Sequence, residues 1–422
     1  MTEIQLPKEA NAPKEEYSPT KAVSDSTVSA FYMLANTISP HGTMGGNTKI
    51  LIEFARRWAA AGIPLTIVTY EEGLKTCLDY ELNNLSYMIV PSSKFMKLGR
   101  IIFHFVQTIN TCLCVLKVRD RIVLYSASNV WPDVIPAILL KKKNPHSKWV
   151  GSCFLKPPSP FKGFDFAYEE KRNLFPNMRL LASSLIDKIS DVLLVRYADA
   201  ICVTNDLDRK FYIDKGVPPS KIRAIYGGVE LAKISKMPEQ KIKYEGCFVG
   251  RVHPQKGVIH LIDIWERVCK VRPSARLALI GNGPDWYENK VKEEIRNRHL
   301  EKNVDLFGFV DGREKYKILK SSKVFLHTSV YDNCGMVAAE GMACGLPGVR
   351  FDIPDLKVAY PKGMLVAPLR DCEAFAKCVL TLLEDDNLYE EIRCDALEAA
   401  NDWDWDIRAQ SALTWLNKIL FE

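Results

Sequence analysis

Short β-rich runs alternate with helical patterns along almost the whole chain. The first unit has a strand predicted over residues 28–34, a helix over residues 47–61 that stops at Gly62, and a strand over residues 64–70. Strands joined through helices are parallel, because the helical crossover returns the chain to the same edge of the sheet. The sequence therefore predicts an α/β fold with a parallel sheet covered on both faces. Further strands of this unit are predicted over residues 87–90, 122–125, 148–153, 200–204 and 221–225.

The same pattern starts again after a proline-containing linker at residues 238–244. We therefore predict two doubly wound, Rossmann-like domains facing across a cleft, and ligands of such sheets bind beyond the carboxyl ends of the strands. The second set of strands is predicted over residues 246–249, 276–280, 304–307, 323–327 and 348–351, with helices over residues 257–271, 285–298 and 312–321. The predicted organisation is a disordered tail at 1–26, a first domain at 27–236, a second domain at 237–400 and a C-terminal helix at 401–422 that packs across the domain junction.

Composition excludes several other classes of protein. With 47% hydrophobic and 26% charged residues among 422, the chain is neither fully disordered nor collagen-like. The net charge of +6 suits a phosphate-bearing ligand or an anionic membrane surface, and we predict no nucleic-acid partner. No C-x-x-C pair occurs among the 12 cysteines, which argues against a zinc ribbon. We predict no metal and no signal peptide. We also predict a cytoplasmic protein, since no run reaches the ~18 apolar residues of a membrane span.

The segment VGRVHPQKG, residues 249–257, joins a predicted strand to a predicted helix. Arg251 and Lys256 therefore lie on a loop at the carboxyl end of a strand, beside the N-terminus of a helix. Two cations and the amides of a helix N-terminus suit a diphosphate group. The alternative is that both side chains are solvated surface charges.

A second candidate segment is HTSVYDNCGMVAAEGMACGLP, residues 327–347. Asp332 follows a predicted strand, and Glu340 comes after seven intervening residues, about one turn inside the next helix. This spacing would let one carboxylate bind a sugar and the other a ribose diol. The alternative is an ordinary capped helix with an acidic residue near its start. The amides that would open this helix and point into the cleft belong to Gly335, Met336 and Val337.

Together the two segments resemble the donor-binding half of glycosyltransferase family 4, the retaining GT-B enzymes that use nucleotide sugars. The family's G-R-x-x-x-x-K-G loop is matched by Gly250, Arg251, Lys256 and Gly257, and its run after the second Glu is matched by Glu340, Met342, Ala343, Gly345 and Pro347. The resemblance is clear over residues 200–350. It departs from the family at Asp332, which replaces Glu, and at Asn333, Cys334 and Gly341, which replace Gly, an aromatic residue and Ala. The segments after the fourth and fifth strands also lack the His of many members.

The resemblance implies a two-domain GT-B fold and a transferase that takes a hexose-type sugar from a UDP- or GDP-sugar to a hydroxyl acceptor. It implies catalytic roles for Arg251, Lys256 and Asp332, with a phosphate oxygen of the donor taking the acceptor's proton. Two other classes remain open: a catalytically weak GT-B protein that binds a nucleotide sugar as a partner or regulator, and a sugar-nucleotide epimerase. The predicted substrate-binding residues are Gly45, Gly46, Gly250, Gly281, Phe309, Gly335, Met336, Val337 and Glu340.

Three glycines of this set belong to glycine-rich segments. Gly45 and Gly46 precede the first long helix, where backbone amides can approach a phosphate or a sugar closely, although a glycine-rich turn without a ligand is the alternative. Gly281 starts the segment GNGPDW, which has only two of the three glycines of a dinucleotide fingerprint. A nicotinamide cofactor is therefore not supported, and we predict no cofactor.

A basic and apolar region lies in the first domain. Its apolar part is the run IIFHFVQ at residues 101–107, and the irregular segment at 157–176 is a candidate acceptor-side flap. An amphipathic helix with Lys and Arg at its ends can lie on anionic lipid, so we predict a lipid-linked or membrane-proximal acceptor. The alternative is a core-facing helix with solvated basic flanks. The basic residues are Lys94, Lys97, Arg100, Lys117, Arg119, Arg121, Lys141, Lys142, Lys143 and Lys148.

Overall fold

The computed structural model describes residues 30–39, 44–118, 121–164 and 173–421. The tail predicted at 1–26, Arg119 and part of the candidate flap at 157–176 lie outside these ranges.

A seven-stranded parallel sheet forms the first domain, and its strand order is β3-β2-β1-β4-β5-β6-β7. The strands are β1 (Ala30–Leu34), β2 (Leu65–Tyr70), β3 (Ser86–Val90), β4 (Ile122–Ser126), β5 (Lys148–Cys153), β6 (Ala200–Val203) and β7 (Ile222–Ala224). The helices are α1 (Gly46–Ala60), α2 (Glu71–Asp79), α3 (Arg100–Val115), α4 (Trp131–Lys143), α5 (Met178–Tyr197), α6 (Asp206–Asp214) and α7 (Leu231–Ser235). The carboxyl end of β1 lies beside that of β4, because Leu34 pairs with Ser126.

A six-stranded parallel sheet of order β10-β9-β8-β11-β12-β13 forms the second domain. Its strands are β8 (Tyr244–Val249), β9 (Leu277–Ile280), β10 (Val304–Gly308), β11 (Ser322–His327), β12 (Gly348–Phe351) and β13 (Met364–Ala367). The helices that follow β8 in the chain are α8 (Val258–Val271), α9 (Asp285–Asn297), α10 (Gly312–Lys320), α11 (Met336–Ala343), α12 (Pro354–Ala359), α13 (Cys372–Glu384), α14 (Asp386–Ala400) and α15 (Trp405–Phe421).

In each sheet the strand order reverses at one point, between β1 and β4 in the first and between β8 and β11 in the second. Ligands of open parallel sheets bind at the carboxyl ends beside such a reversal. The loops after β8 and β11 carry the two candidate segments, so the topology brings Lys256 and Asp332 to one place.

The prediction of two doubly wound α/β domains is confirmed, and each predicted strand is present with ends that differ by a few residues. The prediction from sequence missed β13, which has four residues, pairs with β12 at the edge of the sheet and is half-exposed at its centre. A short edge strand has too few alternating positions to show a period of two, which explains the omission.

The chain crosses between the domains near two buried tryptophans. Trp403 stacks on Tyr360 of the second domain, with ring centroids 5.0 Å apart. Trp405 lies edge-on to Phe54 of α1 in the first domain, at 6.3 Å. Helix α15 therefore completes the apolar core of the first domain although it is the last element of the chain.

Candidate active site

The loop after β8 is held against the loop after β11 by a glycine. Gly257 has a φ of +63°, and a Cβ atom at this position would lie 1.9 Å from the carbonyl oxygen of Thr328. No other residue fits there without moving one of the two loops. The buried Gln255 adds backbone hydrogen bonds, because its carbonyl oxygen accepts from the amides of Val330 and Tyr331. The cationic loop and the carboxylate loop are thus packed together as one unit.

Lys256 and Asp332 form an ion pair at the centre of this unit. The Lys256 Nζ atom lies 2.5 Å from Asp332 Oδ2, which also accepts from the Ser329 hydroxyl at 2.9 Å and from His327 Nε2 at 3.3 Å. Asp332 Oδ1 accepts from the amides of Asn333 and Gly335. Asp332 is therefore a buried carboxylate surrounded by donors.

The electrostatics of this cluster determine its charge state. Burial raises the pKa of Asp332, but the Lys256 ammonium and the His327 hydrogen bond lower it more, so this pKa lies well below its usual range. Burial lowers the pKa of His327, and the Asp332 carboxylate does not compensate fully. At neutral pH the cluster consequently holds an ionised Asp332 and a neutral His327.

Arg251 lies at the exposed edge of the same loop, where its Nη2 donates to Gln255 Oε1 at 3.1 Å. His253 lies between the two predicted cations. Burial, Arg251 and Lys256 lower its pKa to about 4, so the imidazole is neutral at pH 7. The loop thus presents two cations around a neutral ring.

Helix α11 begins directly after the loop that contains Asp332. Its N-cap Gly335 has a φ of +58°, and a Cβ atom there would lie 2.9 Å from the His327 ring. The Gly335 amide donates to Asp332 at 3.3 Å, so this predicted ligand-binding amide is engaged within the protein. The amides of Met336 and Val337 belong to the first helical turn, where intrahelical acceptors are lacking.

Glu340 lies one turn further along α11 and is 7% exposed. Its Oε1 atom accepts from Lys315 Nζ at 2.7 Å, whereas its Oε2 atom is buried and has no hydrogen-bond partner among the described residues. Lys315 also donates to Asp311 at 2.7 Å. Burial would lower the pKa of Lys315, but the two carboxylates raise it above its usual value. A ligand hydroxyl is the kind of group that would satisfy the remaining Glu340 oxygen.

The first domain contributes to this part of the cleft. The Tyr80 hydroxyl donates to Asp311 Oδ2 at 2.8 Å, and Lys49 Nζ of α1 lies 3.9 Å from the same atom. These residues and the half-exposed Phe309 line a cleft of about 790 Å³ between the domains. The position predicted from sequence at Phe309 therefore lies beside the Glu340 network.

The predicted glycines Gly45 and Gly46 lie at the start of α1, whereas Gly250 and Gly281 lie in loops of the second domain. Gly46 starts α1 and faces Met336 across the domain boundary, because a Cβ atom on Gly46 would lie 3.4 Å from the Met336 methyl group. The amide of Gly45 donates to Ser39 Oγ at 2.9 Å. Gly281 packs on Gly250, whose carbonyl oxygen would lie 1.8 Å from a Cβ atom on Gly281. The last two glycines thus allow close packing of neighbouring loops.

Sequence reasoning did not identify Lys315, Asp311, Tyr80 or His327. Lys315 and Glu340 are 25 residues apart, and Tyr80 and Asp311 come from different domains. His327 ends a buried strand, where its side chain reads as part of the core. Lys315, Asp311 and Tyr80 lie in no motif that could have indicated their partners, whereas His327 begins the second candidate segment, five residues before Asp332.

Two facing Rossmann-like domains with this cleft define the GT-B fold. Residues 232–398 match the model of the family described as Glycosyl transferases group 1. An uncharacterized glycosyltransferase of Methanocaldococcus jannaschii is 24% identical over 312 residues, which are 64% of this chain and 73% of that protein. The GDP-mannose:cellobiosyl-diphosphopolyprenol alpha-mannosyltransferase of Xanthomonas oryzae is 27% identical over 192 residues, 45% of this chain and 50% of that one.

Among solved structures, HepE of Anabaena in complex with UDP and glucose superposes with a TM-score of 0.67 at 16% identity, over 92% of this chain and 99% of that one. This likeness supports the fold. The prediction of an enzyme of the glycosyltransferase class is confirmed, and the catalytically weak alternative is not favoured. The finer assignment to family 4 stays a prediction.

Proposed function

We propose that the protein is a retaining glycosyltransferase that moves a hexose-type sugar from a nucleotide diphosphate sugar to a hydroxyl acceptor. The observation that carries this proposal is that α11 joins two half-sites: its N-cap amide donates to Asp332, the partner of Lys256, and Glu340 lies one turn further along the helix. The loop of Arg251 and Lys256 is suited to a diphosphate, and the unpartnered Oε2 atom of Glu340 is suited to a ribose hydroxyl. A sugar nucleotide has both groups in one molecule.

In the proposed mechanism Lys256 and Arg251 neutralise the charge that grows on the leaving diphosphate. The first-turn amides of α11 add a positive dipole end at the same place. The bond between the anomeric carbon and the phosphate oxygen breaks, and a bond from that carbon to the acceptor oxygen forms. The acceptor's proton passes to a phosphate oxygen of the departing nucleotide.

The charge states near the diphosphate site support this route for the proton. Asp332 has a pKa well below its usual range and is a poor base. The lowered pKa of His327 also makes it a poor proton acceptor. A phosphate oxygen of the donor is then the base best placed to receive the proton.

Asp332 has a role that differs from that of Glu340. In the structure Lys256 occupies Asp332 Oδ2 at 2.5 Å. We propose that the donor diphosphate draws Lys256 toward itself, which exposes Oδ2 to a hydroxyl of the transferred sugar. Glu340→Ala should then weaken binding of free nucleotide and nucleotide sugar alike, whereas Asp332→Ala should weaken mainly the nucleotide sugar. Titration calorimetry that gives the reverse pattern would overturn these roles.

The identity of the donor can be tested directly. HepE was crystallised with UDP and glucose, and the Xanthomonas relative is named for GDP-mannose. Saturation-transfer NMR with UDP-, GDP- and ADP-sugars should show contact with at least one of them, and the unmodified enzyme should turn over that sugar nucleotide. Absence of binding and turnover across the whole panel would contradict the proposed function.

We further propose a lipid-linked acceptor and contact of the first domain with an anionic membrane. The name of the Xanthomonas relative contains a diphosphopolyprenol acceptor, which supports this. On helix α3, apolar side chains repeat at helical spacing and face outward, with exposed fractions of 45–74%. No helix among the described residues is both long and apolar enough to cross a bilayer, so the contact would be peripheral. These side chains are Ile101, Phe105, Ile109 and Leu113.

The charge on the same layer of helices supports the proposal. Helix α3 packs on α4, which packs on α5, and α3 contains no acidic residue. The acidic residues of α4 and α5 are buried or nearly so: Asp133 is fully buried, and Asp187 and Asp191 pair with Lys156. Each cation near an anionic surface contributes roughly 1 kcal/mol. The exposed lysines of these helices and their flanking segments are Lys94, Lys97, Lys117, Lys142, Lys143 and Lys188.

Flotation with anionic and neutral vesicles at two salt concentrations tests this contact. The protein should float with anionic vesicles at low salt and should be released as salt rises. Phe105→Glu should abolish flotation, whereas Trp286→Glu, which changes an equally exposed aromatic residue of the second domain, should not. Protein that stays soluble with anionic vesicles at low salt would contradict the membrane contact and leave the proposed reaction intact.

A further inference from the structure

Asn333 connects the two domains at the edge of the candidate active site. Its Nδ2 atom belongs to the second domain and shares its two N–H groups among three acceptors of the first. These are the Phe154 carbonyl oxygen at 2.7 Å, Thr204 Oγ1 at 2.8 Å and Asp208 Oδ2 at 2.8 Å. The backbone carbonyl of Asn333 accepts from Asn205 Nδ2 at 3.1 Å. One side chain thus joins the carboxyl ends of β5 and β6 to the loop after β11.

The partners of Asn333 are themselves fixed. Thr204 donates its hydroxyl hydrogen to the Phe154 carbonyl oxygen at 2.9 Å, so its oxygen is oriented to accept from Asn333. Asn205 caps α6 through its Oδ1 atom, which accepts from the Asp208 amide. Its Nδ2 atom donates to Asp355 of α12 as well. The first domain therefore presents a preformed cradle for one carboxamide.

Asn333 is also adjacent in the chain to the Asp332 cluster. Its backbone amide donates to Asp332 Oδ1, and Asp332 Oδ2 pairs with Lys256. A movement of the first domain that pulls on Asn333 therefore acts on the two charges proposed to bind the donor. In the family that this half of the chain resembles, Gly is usual here, and glycine has no side chain to make this link.

We propose that Asn333 is a positioning residue that couples closure of the two domains to the arrangement of Asp332 and Lys256. The proposal rests on the function proposed for this cleft. When the carboxamide is seated in its cradle, the loop after β11 is held and the acceptor-side domain closes over the donor. When the hydrogen bonds of the Asn333 carboxamide are lost, the donor still binds to the second domain, but the domains close less often around it.

The test compares variants of the full-length protein at Asn333 and at its partner Thr204. Asn333→Gly removes the link, and Asn333→Asp keeps the shape but sets an acceptor against the Phe154 carbonyl and the Asp208 carboxylate. Both should lower turnover by about 10- to 100-fold, because small misplacements of reacting groups have effects of that size. Binding of free UDP or GDP and the melting temperature should stay close to those of the unmodified protein.

Thr204→Val provides the matched partner variant. It should lower turnover less than Asn333→Gly, and the double variant should be no slower than Asn333→Gly alone, because both changes remove the same hydrogen bond. Small-angle scattering of the unliganded protein should show a larger radius of gyration for Asn333→Gly than for the unmodified chain.

Three results would overturn the proposal. They are unchanged turnover and scattering in Asn333→Gly, additive losses in the double variant, and a loss of nucleotide binding in proportion to turnover. The last would mean that Asn333 acts on the donor itself. Failure of the proposed function would look different, because the unmodified protein would then turn over no sugar nucleotide while the scattering comparison still reported on the link.

Discussion

Replacing Asp332 by Asn should destabilise the second domain more than any change to an exposed ion pair. Asp332 is 7% exposed, and its carboxylate lies 2.5 Å from the Lys256 ammonium. At an effective dielectric constant of about 20, two unit charges at this distance attract by roughly 7 kcal/mol before desolvation is counted. Removing one partner of a buried pair typically costs about 3–5 kcal/mol, because the other charge stays buried without compensation.

The assay is urea unfolding of the full-length protein between pH 3 and 9, with Glu314→Gln as a control. Glu314 pairs with Lys317 on the surface of α10, where the two side chains are 66% and 40% exposed. An exposed pair contributes about 0–1 kcal/mol, so the control should unfold almost like the unmodified protein. The free energy of unfolding should fall several times more in Asp332→Asn than in this control.

The dependence on pH provides a second check. The folded-state pKa of Asp332 lies below its unfolded value of about 3.9, so the stability it contributes is present above pH 4 and is lost as pH falls through the folded pKa. The loss of unfolding free energy in Asp332→Asn, relative to the unmodified protein, should therefore be constant from pH 5 to 9 and should shrink below about pH 4. A loss of unfolding free energy under about 1 kcal/mol at pH 7, or a loss that grows on acidification, would refute this reasoning.

Three further outcomes are expected. Lys256→Ala should lower turnover at least about 100-fold, since loss of a preorganised charge at a developing oxyanion has that effect, and near-normal rates would exclude the role. Gly257→Ala should lower the melting temperature more than Gly308→Ala, because both glycines have positive φ but only the first would place a Cβ 1.9 Å from another atom; equal losses would contradict this. His253 has a pKa lowered to about 4, so protonation favours the unfolded state and stability should fall from pH 6.5 towards 4; an unchanged slope in His253→Gln would contradict it.

All strands except β13, their parallel arrangement and the restart after the linker could be predicted from local pattern. Buried strands such as Ile122–Ser126 read as continuous apolar runs, and helices such as Val258–Val271 show an apolar stripe. The apolar run of a strand and the apolar stripe of a helix each involve several residues, so one polar residue does not remove the pattern. Strand–helix alternation then leaves few topologies, because crossovers between parallel strands are right-handed.

The pairing of charges could not be predicted in the same way. The sequence indicated Arg251, Lys256, Asp332 and Glu340 as separate candidates for ligand contacts. The structure pairs Lys256 with Asp332 and Glu340 with Lys315, a residue without any motif. Which cation pairs with a carboxylate depends on contacts between segments that are 25 to 76 residues apart in the chain.

Sequence by itself determined the fold class and the two candidate segments, because hydrophobic period and motif spacing are properties of neighbouring residues. Only the tertiary structure decided how Asn333 is used. Among the residues that the structure describes, its carboxamide has no hydrogen-bond partner close in the chain, and its three acceptors lie 125 to 179 residues away. A hydrogen bond forms only within about 3 Å, and contacts at that range between distant segments exist only after both sheets have assembled and the domains have met.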